Sequence, residues 1–451
     1  MQKVLLVEPD FPYPNKSKQR ANQTFKNFIP IGLLKLGAYH KSKDFTVKLV
    51  RGKRTKTELK YFKPNVVGIT SLFTYWSKYV WEAVEHYRNL FPRSEIIVGG
   101  IYVTLHHQTE EFQRLAKKYN VKWHVGTHKE AERCLPDYSL IPPVDHHLTH
   151  AMRGCIRRCA FCGTWRIEPE LIYKKTDDLV NEIKKIRKNK VIFLDNNFFA
   201  NPHVKENLKA ISNIRVNGKP VTFESQSGFD GRILAQDPEL AKLLKRARFQ
   251  NIRIAWDHSA KDALTIKKQI DHLIDVGYTP KDISVFMIYN FNIPYEEMLE
   301  KLKYCKKWNV QITDCRYRPL TATYDNYNSH TKKGQTKEDY YIHEQDGWTD
   351  KKVRSFRSLV RKHNIEVRYG GPYNRKMERW SAIHNTFKFF GLGRPPKMII
   401  IENSKKWQTR IVLMNKLKNI CLKNELRPPK IDYGPGPKFD FEIIKIIKKY
   451  N

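Results

Sequence analysis

Three cysteines stand within eight residues, Cys155-Ile-Arg-Arg-Cys159-Ala-Phe161-Cys162, and Arg153-Gly154 precedes them. Thiolate is a soft ligand, and three of them at this spacing can hold three irons of a cubane cluster. The fourth iron is then open to a small molecule. An open position is what a reactive metal site needs, whereas a structural site is normally closed. A zinc knuckle is the competing reading, with His146, His147 or His150 as fourth ligand, but no second cysteine pair follows to complete it. Cys134, Cys305, Cys315 and Cys421 are scattered, and seven is an odd count. That argues against a disulfide framework and for a reducing compartment. Cys305 shares a helical stripe with Met298 and Leu302 and is expected in a core.

The elements that must position this loop are α/β in rhythm. Apolar runs at Val4–Val7, Phe45–Val50, Val66–Ser71, Glu95–Val98 and Val121–Val125 alternate with helical spacing after Pro30, at Tyr75–Leu90 and at Thr109–Tyr119. Such alternation predicts a doubly wound parallel sheet over residues 1–135, with its ligand crevice at the carboxyl ends of the strands. A Pro-containing linker follows, and the rhythm restarts at residue 144. Strands are predicted at Val191–Leu194, Val221–Glu224, Ile252–Trp256, Ser284–Tyr289 and Gln311–Tyr317. The helices between them are Asp177–Lys188, His203–Ile214, Pro238–Ala247, Lys261–Val276 and Glu296–Trp308, the first capped by Thr176. About six βα units over residues 144–320 suggest a partial (β/α)6 barrel, with functional residues on the loops after the strands. Residues 321–451 read as a mixed, mainly helical region. It has a polar surface loop at Asp325–Asp346, helices near Trp348–Lys362, Trp380–Phe390 and Thr409–Asn424, and a short terminal helix.

The chain has 451 residues, 40% of them hydrophobic, enough for two or three domains with real cores. The N-terminal apolar run is too short for a signal peptide, and no stretch approaches the roughly 20 residues of a bilayer span. A cytoplasmic protein without a membrane partner is expected. Lysine and arginine total 83 against 46 acidic residues, a net charge of +37. That excess could attract nucleic acid, although the basic residues are spread along the whole chain.

The cysteine spacing with Phe161 resembles the signature of the radical S-adenosylmethionine (SAM) superfamily, and the likeness extends over residues 144–320. Leu194-Asp195-Asn-Asn-Phe198 is similar to the acidic turn that holds the SAM amino group. Ile254-Ala-Trp-Asp257-His-Ser259 is similar to the segment whose carboxylate meets the ribose, and Phe286–Glu297 to the turn that lines the adenine, with Tyr289 or Asn290 in place of its usual glycine. The resemblance implies a 4Fe–4S cluster on Cys155, Cys159 and Cys162. It implies SAM on the open iron, cleaved to a 5′-deoxyadenosyl radical, and an external electron donor. Phe161, Asp195, Gln226, Arg253, Asp257, Tyr289 and Arg316 are the candidate cofactor-binding residues, with Arg318 beside the last. Residues 1–135 look like the cobalamin-binding domain of one branch of that superfamily, on Ile31-Gly-Leu-Leu34, Pro64–Ser71, Ile96–Thr104 and Gly126–Leu135. That branch often carries an axial histidine after the first strand, and Glu8–Pro14 has none, so cobalamin stays open. His106 and His107 would face the same crevice, if they are not simply solvated.

Blander roles remain beside these. Asp195 and Asp257 could each cap a helix, and Tyr289, Arg253 and Arg316 could serve packing. The reaction also stays open, between cobalamin-dependent methyl transfer to carbon, modification of RNA on a basic surface, and a non-catalytic iron–sulfur protein.

Overall fold

A computed structural model describes residues 2–13, 29–370, 373, 383–392 and 405–427. The described chain divides into two units; the first holds residues 1–12 and 29–361, and the second takes up the chain from Lys362.

Within the first unit, five strands form one parallel sheet: β1 (Lys3–Glu8), β2 (Thr46–Arg51), β3 (Val66–Ser71), β4 (Glu95–Gly100) and β5 (Lys122–Trp123), in the order β2-β1-β3-β4-β5. All four pairings are parallel, as crossover helices require. β1 lies near the centre, and Val4, Leu5, Leu6 and Val7 are all buried, which is why the run is apolar without alternation. The helix Ile31–Lys41 starts directly after Pro30, whose ring suits a helix entrance. Thr109 caps the helix Glu110–Lys118 by accepting from the Phe112 N–H at 3.3 Å. The last strand is much shorter than Val121–Val125.

The second strand set begins with β6 (His147–Thr149). A two-stranded antiparallel pair, β7 (Met152–Arg153) and β8 (Ile172–Tyr173), brackets the cysteines. β9 (Lys190–Phe193) follows, then a hairpin of β10 (Arg215–Val216) and β11 (Lys219–Pro220), and then β12 (Thr222–Ser225). β13 (Ile252–Ala255), β14 (Ile283–Tyr289) and β15 (Gln311–Arg316) complete the set. β6, β9 and β12 form one parallel sheet and β13, β14 and β15 another. Isolated parallel bridges, Phe223↔Phe249 and Phe229↔Ile254, join their neighbouring edges. The six parallel strands therefore follow chain order, and one core of Phe193, Phe198, Phe223, Phe249, Ile254 and Val285 runs through them.

One cap differs from expectation. The helix Thr176–Ile186 is preceded by Lys175 at the cap position, and Thr176 instead donates to Asn207 Oδ1 at 2.8 Å. Its apolar face is as predicted, with Leu179 and Ile183 buried.

The segment after β15 is not merely a surface loop. Tyr340 and Trp348 are buried, and Val353, Phe356 and Val360 of the helix Asp350–Tyr369 join the core of the strand set. The loop could not be read as buried because its anchors are single residues in a polar run. In the second unit, a helix over 383–389 and the helix Lys405–Lys423 bury Phe387, Phe390, Met414, Leu417 and Cys421 together. The predicted terminal helix, and residues 380–382 of the Trp380–Phe390 segment, lie outside the described residues. No helix among the described residues is long and apolar enough to cross a membrane.

Candidate iron–sulfur and SAM site

The cysteine loop leaves β7, passes through the short helix Thr164–Ile167 and returns along β8. Gly154 lets it begin: its φ is +80°, and a Cβ there would meet the Glu170 carbonyl oxygen at 2.5 Å. Cys155, Cys159 and Cys162 are half-buried free thiols. Burial raises the Cys159 thiol above its ordinary range, and the nearby Cys162, Asp257 and Cys155 raise it further, against Arg232. The three sulfurs thus share one neighbourhood, and a carboxylate and a guanidinium complete it. The Arg157 N–H lies 3.3 Å from Cys155 Sγ, and the Thr164 N–H lies 3.5 Å from Cys162 Sγ.

No three His, Cys, Asp or Glu side chains among the described residues close round one point as the ligands of a single ion do. Three thiolates are, by their chemistry, a soft donor set of the kind a cubane takes. Two histidines of the zinc reading are engaged elsewhere. His147 pairs with Glu182 Oε1 at 2.8 Å and with the Tyr138 hydroxyl at 2.9 Å, and His146 pairs with Asp145 at 2.8 Å. His150 is buried and held neutral by that burial, with Arg153, Lys35 and Lys174 adding to the effect.

The candidate contacts fall into two groups. Asp257 and Phe161 lie at the loop. Asp257 follows β13; its carboxyl is pushed up by burial, against Lys301, His258 and Arg232. Beneath it, the buried Lys301 donates to the carbonyls of Trp256 at 2.6 Å and His258 at 2.9 Å, which holds the turn. Burial brings the Lys301 ammonium down to about 8, with Asp257 opposing. Phe161 meets Phe291 edge-on at 5.9 Å, and Phe291 continues to Tyr317 at 4.3 Å. These half-buried rings make an aromatic wall beside the cysteines. Gln226 follows β12, half-buried, and its backbone N–H donates to the Phe193 carbonyl at 2.8 Å.

The other candidates have protein partners of their own. Asp195 is fully buried and accepts from the N–H groups of Ala151 at 3.0 Å and Met152 at 2.7 Å. Burial pushes its carboxyl up to about 7 despite those donors. It fastens the start of the cysteine loop. Arg253 pairs with Glu224 at 2.5 Å and also donates to the Ser225 carbonyl, both groups being buried, so it ties β12 to β13. Tyr289 packs its ring on Phe356 at 5.0 Å and Trp348 at 6.0 Å, inside the core. Arg316 is buried between the rings of Tyr327 and Tyr340 and pairs with Asp325 at 2.5 Å; Arg318 pairs with the same carboxylate and lies over Tyr75. These two arginines pin the following loop. Most of their partners lie far away in the sequence, which residue type does not reveal.

Asn290 resolves the glycine question. It has φ +58° and takes the left-handed place, donating to the Tyr341 carbonyl and accepting from the His343 N–H.

Several residues at the loop escaped sequence reasoning. Asp230 accepts from Arg157 at 2.9 Å and from Arg232 at 2.9 Å, which sets both guanidinium groups near the cysteines. A polar chain also runs from the helix Ile31–Lys41 into the loop. Lys35 and Arg153 both hold Glu132, at 2.5 and 2.7 Å, and Arg153 reaches Glu168 at 2.6 Å. Glu168 accepts from the Gly154 N–H and from Asn196 Nδ2, each at 2.9 Å. These partners are distant in sequence, so no local spacing marks them.

Residues 150–315 match the radical SAM superfamily. The match supports an enzyme that uses SAM. Among solved structures, the chain is similar to apo, selenomethionine-labelled OxsB, described as a cobalamin-dependent SAM radical enzyme. Identity is 11% and the TM-score 0.49, over 100% of this chain and 75% of that one. It is also similar to Streptococcus suis SuiB bound to SAM, at 15% identity and a TM-score of 0.28, over 40% of this chain and 41% of that one. No curated protein matches the chain.

Proposed function

We propose that this chain binds a 4Fe–4S cluster on Cys155, Cys159 and Cys162 and SAM beside it, in an open (β/α)6 barrel spanning residues 144–320. The single observation that carries this is the gathering of three free thiols with Asp257 and Arg232 after a parallel strand of the set. When bound, the pair would supply reductive cleavage of SAM to a 5′-deoxyadenosyl radical. The residues bind and orient. Asp257 is placed to accept from ribose hydroxyls, Arg232 to meet a carboxylate, and Phe161 with Phe291 to cover an adenine face. Asp195, Lys301 and Asp230 hold the segments that carry them.

Residues 1–135 are proposed as a separate doubly wound domain of the cobalamin-binding kind, with methyl transfer to an unactivated carbon as the reaction. The 2-1-3-4-5 strand order supports that reading, because it puts a switch point between β1 and β3. Aromatic rings line that edge: Phe11 stacks on Trp76 at 5.3 Å, and Phe73 on Tyr75 at 5.1 Å. With no histidine in Glu8–Pro14, a corrin there would lie without an axial protein ligand from that loop. The RNA-modifying reading has only the net charge behind it.

Anaerobic reconstitution with iron, sulfide and SAM tests the assignment. The expected result is about four irons per chain, a bleachable cluster absorbance, and 5′-deoxyadenosine on reduction. Protein that takes up iron but never cleaves SAM would be a non-catalytic cluster protein, and protein that takes up none would overturn the reading.

A further inference from the structure

Thr164 stands at a junction the cluster assignment does not use. Its hydroxyl lies 3.2 Å from Cys162 Sγ and 3.2 Å from Asn196 Oδ1. Asn196 is oriented by Nδ2, which donates to Glu168 Oε2 at 2.9 Å, so its oxygen faces Thr164. Glu168 is held in turn by Arg153 at 2.6 Å and by the Gly154 N–H at 2.9 Å. In the free thiol the Cys162 proton points to Thr164 Oγ1 and the threonine proton goes on to Asn196. A thiolate on iron has no proton to give. The contact must then reverse: the single hydroxyl proton of Thr164 has two acceptors, and the anionic sulfur is the stronger.

We infer that Thr164 is a positioning residue that sets the reduction potential of the cluster, by donating its hydroxyl proton to Cys162 Sγ. The inference rests on the cluster reading above. A hydrogen bond to a ligating sulfur stabilises the more negative, reduced cluster, so its loss makes the one-electron potential more negative. The electron comes from an external low-potential donor, and no bond to Thr164 forms or breaks. The chain from Glu168 through Asn196 fixes the hydroxyl in reach of both acceptors.

The test is a redox titration of reconstituted wild type, Thr164→Val and Thr164→Ser, followed by electron paramagnetic resonance, with iron and sulfide measured on each. The valine keeps the shape and lacks the proton; the serine keeps the proton. With full cluster content, the reduced fraction of Thr164→Val at a fixed potential should fall about tenfold, a shift of about 59 mV for one electron, and the serine should restore it. An unchanged potential in a fully loaded Thr164→Val protein would overturn the inference. If Thr164→Val loses the cluster while Thr164→Ser keeps it, the hydroxyl serves assembly instead of tuning, and the inference also fails. Wild type without iron, sulfide or a reducible chromophore is the distinct result that sinks the cluster reading itself.

Discussion

The two parallel strand sets of the first unit end in different chemistry. The carboxyl edge of the five-stranded sheet is aromatic: Phe11 stacks on Trp76, Phe73 stacks on Tyr75, and Phe73 meets Trp76 edge-on. The corresponding edge of the six later strands is ionic, with Asp230 and Asp257 set among Arg157, Arg232 and Lys301. Both edges obey the same rule, that an open α/β sheet presents its ligand crevice where the strands end. A flat apolar face suits a large planar ligand, and an ionic rim suits a charged, zwitterionic one. The topology decides where the crevice is, and the side chains decide what could enter it.

The comparison can be broken most decisively at the ionic edge. Cys159→Ala should abolish both cluster uptake and SAM cleavage in iron assays and product analysis; retention of either means that the loop is not the metal site. Next in size is the division between contacts and struts. Arg253→Ala breaks a buried pair whose side chains are 5% and 2% exposed, and should destabilise the protein by about 3–5 kcal/mol in denaturant titrations. If loaded protein instead keeps its stability and loses SAM affinity, Arg253 belongs to the rim after all.

A pH experiment sharpens the same division. Burial would raise the Glu182 carboxyl, but hydrogen bonds and charge from His147 and Lys174 hold it down to about 2. A depressed carboxyl contributes stability that is present above its unfolded value and lost as pH falls. About 3 kcal/mol should therefore disappear between roughly pH 4.5 and 2, and Glu182→Gln should flatten that limb in acid unfolding curves. Persistence of the full limb in the glutamine variant would mean that other carboxylates carry it. The smallest effect belongs to the aromatic edge. Trp76→Ala should weaken corrin retention about tenfold, the worth of one aromatic contact, while cluster content is unchanged. Loss of cluster along with corrin would show that the two edges are not separable.

Much of this was legible in the chain itself. Strand and helix positions follow from apolar period and capping, because buried parallel strands need continuous apolar runs and cannot hide them. Val66–Ser71 has the predicted bounds, and Glu296–Trp308 starts one residue early. The cysteine loop was legible because its three ligands sit on one short segment, and the acidic turn at Asp257 because it directly follows a strand. Asp195, Arg253, Tyr289 and Arg316 were found as residues, but their protein partners were not. Whether a strand-end side chain meets solvent, ligand or core depends on pleat and on partners many residues away.

By itself, then, the sequence determined the cysteine spacing, the alternating α/β order and the order of the loops along the chain, since these are local in spacing or periodicity. Only the tertiary structure decided which carboxylates face the cysteines, that Asp230 gathers Arg157 and Arg232, and that a polar chain from Lys35 ends beside Cys162. The reason is the range of the interactions. Lys35 and Glu132 are 97 residues apart and Arg157 and Asp230 are 73 apart, and only packing brings such groups within reach of a hydrogen bond.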